Sequence, residues 1–497
     1  MSSRITRWRE INKSVIDLFI ETVSTIETNE QQINVSDNTV VSEDSIEQEV
    51  DGVEETDFDT DSNLDSAEVS HSSDSDSCFL NHGNFIDDKI VNRNLCEELA
   101  EWVVVNQTSQ SATNQLLFIL RKNGHAELPK DARRLLKTPS NIPLQNKCGG
   151  DYIYYGLETN IFKYLSKFSD FEKIELVVNP ILCSFSSIQP FAVAIFCGKS
   201  KPSSEESFIF DFVNELSILL QNGIKTPYKH YLVSLKSFCC DAPARQFLKS
   251  IISHNGYDSC ERCVIRGAHV NHQQVFLGSG YTLRNNREFN LHSYKEHQKT
   301  LCGLAKYNIP CVTSFILDIM HLVYLGVTKK IIIFFNNGKR SCRISEVQKA
   351  IISEKLRELS GKLPSEFARQ PRGIDEFKRW KATEFKNFLL YIAMVVLKNI
   401  VSQEIYTHFL GLLVATRIMV DNDLLNDHKL LVYAKELLEW FVNRSSFLYG
   451  QEFVTYNVHS LTHLYEDVVN HSCSLQDISA FHFENYLGIL KWYVRKA

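Results

Sequence analysis

Two pairs of metal-binding residue types stand far apart in this chain. Cys260-Glu-Arg-Cys263 is a tight thiol pair, and His459 and His463 lie four positions apart. On a helix that spacing puts both imidazoles on one face. Two cysteines and two histidines make a closed, four-coordinate structural zinc site. If one Zn2+ ion joins them, the 195 residues between Cys263 and His459 must leave one point and return to it. Carboxylates flank the set: Asp241 precedes Cys260 by 19 positions, and Glu484 follows His463 by 21. The order Asp, Cys-Cys, His-His, Glu places a zinc clamp between two acidic residues suited to a hard cation such as Mg2+.

Charge is distributed unevenly along the 497 residues. The formal net charge is -7, yet residues 21–76 hold eighteen Asp and Glu and no Lys or Arg. The remainder carries 42 acidic and 53 basic side chains. A basic body of this kind favours an anionic partner, duplex DNA above all. The start, Met1 to Arg9, is charged without an apolar core behind it, so no secretory signal is expected. The longest apolar run, Phe388 to Leu397, is shorter than the roughly 20 residues a bilayer requires, so no membrane association is expected. Thirteen cysteines without a leader read as reduced thiols or metal ligands, which points to nucleus or cytoplasm.

The pattern of side chains divides the chain. Residues 1–20 read as a short helical segment. Residues 21–85, acidic and Ser-rich, cannot bury enough apolar surface to offset chain entropy and read as disordered. Residues 86–140 read as a helical N-terminal domain. From 150 the period shortens, and β-rich runs are expected at 174–178, 190–196 and 231–238, with helices at 208–220 and 242–254. Residues 265–310 read as loop, and from Ser314 helices are expected at 314–336, 344–360, 374–400, 404–420, 427–446 and 478–495. The fold class expected is α+β: a mixed-sheet core over 150–264, a helical insertion over 265–477, and a closing core helix over 478–497 that carries Glu484. This order of strands and helices is what an RNase H-like sheet requires.

The stretch from Leu128 onward resembles CACTA (En/Spm)-type transposases and the transposase-domain proteins derived from them. The resemblance rests on Leu128-Pro-Lys-Asp-Ala-Arg133, Cys240-Asp-Ala-Pro-Ala-Arg245, Gly256-Tyr-Asp-Ser-Cys-Glu-Arg-Cys263, Asp318-Ile-Met-His321 with Leu325-Gly-Val327, Leu363-Pro-Ser-Glu-Phe-Ala-Arg369, Arg379-Trp-Lys-Ala-Thr-Glu-Phe385 and Phe483-Glu-Asn-Tyr-Leu-Gly488. It implies an RNase H-fold recombinase with an Asp-Asp-Glu triad. There two Mg2+ or Mn2+ ions, about 3.5–4 Å apart, activate the attacking oxygen and steady the leaving one. Asp241 and Glu484 match the second and third members. The zinc pairs between them resemble the clamp of the V(D)J recombinase core.

The first member departs from the pattern. The matching segment reads Val177-Val-Asn-Pro-Ile181, so Asn179 occupies the place of the first aspartate. An amide oxygen can coordinate a cation but brings no charge. Glu175 lies on the same strand face but about 13 Å away at 3.3 Å per residue, and Glu172 is farther still. Glu384 is the second choice for the third carboxylate. Asp318 and His321 are rival ligands, or a helix cap and a core histidine. Arg379 to Phe385 either tracks phosphates or packs as an amphipathic helix. The chain stops at Ala497, soon after Glu484, which against the family pattern reads as a shortened or decayed copy. The expectation is a transposase-derived, DNA-binding and catalytically degraded protein, with a homo-oligomer and host nuclear proteins as further partners. An active metal-dependent nuclease-transposase and a domesticated, non-enzymatic interaction protein are the alternatives.

Overall fold

Three helices open the described part of the chain: α1 (Leu95–Val105), α2 (Gln110–Lys122) and α3 (Ala132–Leu135). Each starts at a polar cap, where Asn94, Ser109 and Asp131 accept the amides of Cys96, Ala112 and Arg134. Val103, Leu117, Leu128 and Leu135 give them a small core of their own. The computed structural model describes residues 94–496 apart from 107, 139–143, 166–172, 180–181, 186–188, 279, 365 and 368. The helical segment expected at 1–20, the acidic stretch 21–85, and Glu172 lie outside the described residues.

Two small sheets follow. The first is antiparallel, formed by β1 (Gln145–Lys147), β2 (Gly150–Tyr154) and, further along, β6 (Ala194–Gly198). Helix α4 (Leu157–Leu165) lies between the sheets in sequence. The second joins β3 (Ile174–Asn179), β4 (Leu182–Phe185), β5 (Phe191–Ala192) and β9 (Val233–Phe238) in the order β5-β4-β3-β9. β3 alternates as a half-buried strand should, with Ile174, Leu176 and Val178 inside. They share a core with Phe208, Val213 and Leu216 of α5 (Glu205–Asn222), which Ser204 caps and Gly223 ends at φ 63°. β7 (Ile224–Lys225) and β8 (His230–Tyr231) form a hairpin beside them.

The pairing β3–β9 is parallel. A third parallel segment lies on the far side of β9: Phe238 donates to the Ser314 carbonyl at 2.6 Å, and Ile316 donates back to Phe238 at 3.0 Å. Phe238 and Phe315 stack there with centroids 4.5 Å apart. Three segments therefore run the same way and end on the same side. Asn179 ends the first, Asp241 follows the second, and Asp318 follows the third.

Helix α6 (Ala242–Leu248) is short because Ser250 turns left-handed at φ 51° and Ile251 bridges to Gln298. β10 (Ala268–Val270), β11 (Gln273–Val275) and α7 (Asn286–Asn290) punctuate the loops that follow. A π-helix over Met320–Thr328 leads into α8 (Lys329–Asn337). Then come α9 (Glu346–Glu358), α10 (Ala382–Asn387), α11 (Ala393–Val396), α12 (Gln403–Val420), α13 (His428–Tyr449), α14 (Tyr456–Ser460), α15 (Leu464–His471) and α16 (Phe481–Lys496). α12 is buried over most of its length, and its His408 stacks on Phe441 of α13 at 4.0 Å.

The described chain is thus mixed α+β with small mixed sheets. Several expected elements change. The helix expected from 314 begins only after Asp318, because Phe315 and Ile316 are drawn into pairing with β9. The strand expected at 190–196 breaks at buried Val193 and serves both sheets. The helix expected at 242–254 stops at Leu248. The helix expected over 374–400 is divided into a 3-10 turn, α10, a second π-helix and α11. Among the described residues no helix is long and apolar enough to cross a membrane.

Candidate metal centre and carboxylate site

Cys260 and Cys263 sit in a non-helical turn after α6, and His459 and His463 come from α14 and the 3-10 turn that continues it. All four are buried, and their ligand atoms lie within 4.8 Å of one another. Sγ of Cys260 is 3.5 Å from Sγ of Cys263 and 3.5 Å from Nε2 of His463. Sγ of Cys263 is 3.3 Å from Nε2 of His459, and the two Nε2 atoms are 3.3 Å apart. Zn–S and Zn–N bonds of about 2.3 and 2.0–2.1 Å imply tetrahedral edges of about 3.8 Å for S–S, about 3.6 Å for S–N and about 3.3 Å for N–N. The four side chains thus match, within a few tenths of an ångström, the frame an ion of that size needs. They could hold a metal such as zinc.

The electrostatics agree. Burial opposes ionisation of Cys260, but the Cys263 hydrogen bond and the His463 and His459 imidazoles outweigh it and hold this thiol well below its ordinary range. The proton kept on Cys263 is held by its bond to Cys260 and by burial, which push that thiol up. One proton leaves easily, and a cation must displace the second. The Cys263 amide also donates to Cys260 Sγ at 3.4 Å, and Arg284 Nε holds the Cys260 carbonyl at 3.0 Å. His459 Nδ1 is buried without a hydrogen-bond partner among the described residues.

The carboxylate site lies at the shared ends of the three parallel segments. Asp241 caps α6, its Oδ1 accepting the Ala244 amide at 2.8 Å. Asn179 Nδ2 donates to the Cys239 carbonyl at 3.1 Å, two residues before Asp241. A carbonyl can only accept, so the amide nitrogen is the atom that faces it. Asp318 is 1% exposed with both oxygens engaged. Oδ1 accepts the Ala480 amide at 2.8 Å, and Oδ2 accepts the amide and Nδ1 of His321 at 3.1 and 2.6 Å. Ala480 in turn accepts the Glu484 amide at 2.9 Å, so Asp318 fixes the start of the helix that carries Glu484. The Glu484 side chain is exposed. Burial works against protonation of His321, but Asp318, with Asp241 and Glu484 behind it, raises its affinity for a proton.

Asp241, Asn179, Asp318, His321 and the start of α16 are therefore neighbours. They do not form a tight ligand set: among the described residues, the thiol-imidazole cluster is the group of three or more whose ligand atoms converge. Asn179, uncharged and engaged as a donor, supplies no third carboxylate there for a pair of Mg2+ or Mn2+ ions.

The rivals resolve differently. Glu384 is held by Arg372 through two bonds of 2.8 Å and accepts the Lys381 amide at 2.8 Å, so it closes a helix start. Glu175 is paired with Lys173 and Lys236 on the sheet. In the run from Arg379 to Phe385, Trp380 is buried against Phe385 and Phe388 at 5.3 Å each, which is packing, while Arg379 and Lys381 stay exposed.

No family model matches the chain, and no curated protein matches it significantly.

Sequence reasoning missed the buried ion network around the cysteine turn, where Glu261 meets Arg245, Lys249 and Tyr456. Arg245 and Glu261 stand inside the motifs given above and Lys249 and Tyr456 outside them, and a charged residue in sequence gives no sign of burial before its partners are known.

Proposed function

We propose that this chain is a CACTA-type, transposase-derived DNA-binding protein whose strand-transfer centre is degraded. The observation that carries the reading is the meeting of Asn179, Asp241 and the Asp318–His321 pair at the ends of three parallel segments, with Asp318 holding the helix of Glu484. The order β5-β4-β3-β9 followed by the 314–316 segment supports an RNase H-like core. In open sheets the carboxyl ends of parallel strands are where ligands gather.

Two features favour the degraded form. Asn179 brings no charge and donates to a carbonyl, and the Glu484 side chain is exposed at the start of α16. The Cys2His2 cluster is read as a structural zinc site that ties distant parts of the chain together. The 53 basic side chains against 42 acidic ones outside residues 21–76 supply the charge for phosphate contacts, with nucleus as the compartment that fits.

The test is binding of the purified full-length protein to duplex DNA across a salt series, with plasmid nicking followed in Mg2+ and Mn2+. Binding that falls steeply with salt, and no nicking, is the expected result. Absence of binding at low salt would remove the DNA-binding reading and favour an interaction protein instead.

A further inference from the structure

The two residues between the metal-facing cysteines point to different parts of the fold. Glu261 Oε1 accepts Arg245 Nε at 2.8 Å and the Tyr456 hydroxyl at 2.7 Å, and Oε2 accepts Lys249 Nζ at 2.7 Å. Arg245 and Lys249 follow Asp241 by four and eight positions, one and two turns along its helix. Arg245 also donates to the Cys240 carbonyl at 2.7 Å, the peptide directly before Asp241. Tyr456 opens α14, which carries His459.

Arg262 reaches elsewhere. It donates to the Val312 and Phe315 carbonyls and to Asp467 Oδ1. The other oxygen of Asp467 accepts the Leu317 amide at 2.7 Å, the residue before Asp318. Every charged member of the two sets is at most 5% exposed. Buried charges held this way cannot shift singly, since a lost partner leaves an uncompensated charge. Motion of the cysteine turn is therefore transmitted to whatever it holds.

We infer that Glu261 and Arg262 are positioning residues that link the Cys2His2 centre to the carboxylate site. Glu261 holds the helix headed by Asp241. Arg262 holds the segment that ends at Asp318 and, through it, the start of the Glu484 helix. Metal binding at the four ligands fixes the turn from which both tethers leave, so it sets the placement of both carboxylates. The proposal rests on the site reading above only for naming what is positioned, because the tethers exist whether or not DNA is bound.

Three amides report on the links: Ala244 on Asp241, Leu317 on the tether residue Asp467 and Ala480 on Asp318. Hydrogen exchange of the full chain is measured with zinc bound and after removal by a chelator, or, if the protein is isolated metal-free, before and after zinc addition. Losing the metal should reduce protection at 242–249, 312–318 and 480 by ~10-fold or more, leaving β3–β4 and α12–α13 within about twofold. In zinc-loaded protein, Glu261→Gln should loosen 242–249 while sparing 312–318, and Arg262→Met should do the reverse.

A change confined to 258–265 and 456–464 would overturn the proposal, because the tethers would then transmit nothing. A uniform loss along the chain would also overturn it, because the network would then be general ballast. If either variant fails to fold, the metal arm on the unmodified chain decides alone. Absence of DNA binding would sink the transposase reading and leave this result standing.

Discussion

Asn179 Nδ2 donates to the Cys239 carbonyl at 3.1 Å, so the residue that the proposed transposase reading sets in place of a first aspartate is engaged as a donor. An ionised aspartate there cannot donate and would face a carbonyl oxygen. Asn179→Asp should therefore cost about 1–3 kcal/mol of stability at neutral pH. Mn2+ should recover part of that loss, because a carboxylate at 179 and Asp241 at the same strand ends would together hold a cation. Thermal melts of both proteins with and without Mn2+ check this, and a larger Mn2+-dependent rise for the variant is the expected outcome. The same variant is the single change best placed to restore plasmid nicking. Robust nicking by the unmodified chain, abolished by Asp241→Ala, would show that the centre is intact and the degraded reading wrong.

The thiol-imidazole cluster leads to a second expectation. Purified protein should carry about one zinc per chain, and Cys263→Ser or His463→Ala should lose most of it. Structural zinc sites bind with apparent free energies on the order of 10 kcal/mol at neutral pH. Chelation should therefore lower the melting temperature sharply, and zinc should restore it. Elemental analysis that finds almost no zinc in fresh protein would count against the site.

How far the sequence could be read depended on whether the signal was local. The two ligand pairs were legible because a thiol pair at CxxC spacing and imidazoles at a helical turn announce themselves without knowledge of the fold. Strand β3 was legible because Ile174-Glu-Leu-Val-Val178 is a β-rich run, and its residues alternate between buried and half-buried. The segment 314–316 was not, because an unbroken apolar run of Phe315, Ile316 and Leu317 reads equally as helix or as a strand buried on both faces. Only its pairing with β9 decides. Asp318 and His321 read either as rival ligands or a second polar site, or as a helix cap with a core histidine; the cap is their local geometry, and the histidine is half-buried. Their tie to Ala480, 162 residues away, has no local signal.

The Asp318–His321 pair makes a pH prediction. His321 is raised above its ordinary value of about 6.5 by Asp318, against the cost of burial. A histidine raised in the fold adds stability that is fully present below its unfolded value and lost as pH rises through the folded one. Asp318 is lowered by the same partner, also against burial, so its contribution is lost only in acid, as pH falls through that lowered value. The pair should stabilise the fold most between about pH 4 and 6.5. Replacing His321 by Gln should therefore destabilise the protein more at pH 6 than at pH 9, by denaturant melts at the two pH values. An equal loss at both would show that the histidine acts without its charge.

The last prediction concerns residues 21–76. Their eighteen carboxylates and absence of Lys or Arg give this segment a charge opposite in sign to the rest of the chain. Tethered to a basic body, it is present at high effective concentration whatever conformation it adopts. It repels DNA, and it competes for the same cations that would neutralise phosphates. Deleting residues 21–76 should therefore strengthen binding to duplex DNA and steepen the dependence on salt, because more phosphate-neutralising contacts become available. Each added contact should steepen the slope of log K against log salt by about 0.9. Fluorescence anisotropy of a labelled duplex, read over a salt series with both proteins, supplies the two slopes. Tighter binding with a steeper slope is the competition outcome. Tighter binding with the same slope would mean plain repulsion without competition for contacts. Unchanged or weaker binding would show that the acidic segment has no part in restraining the basic body.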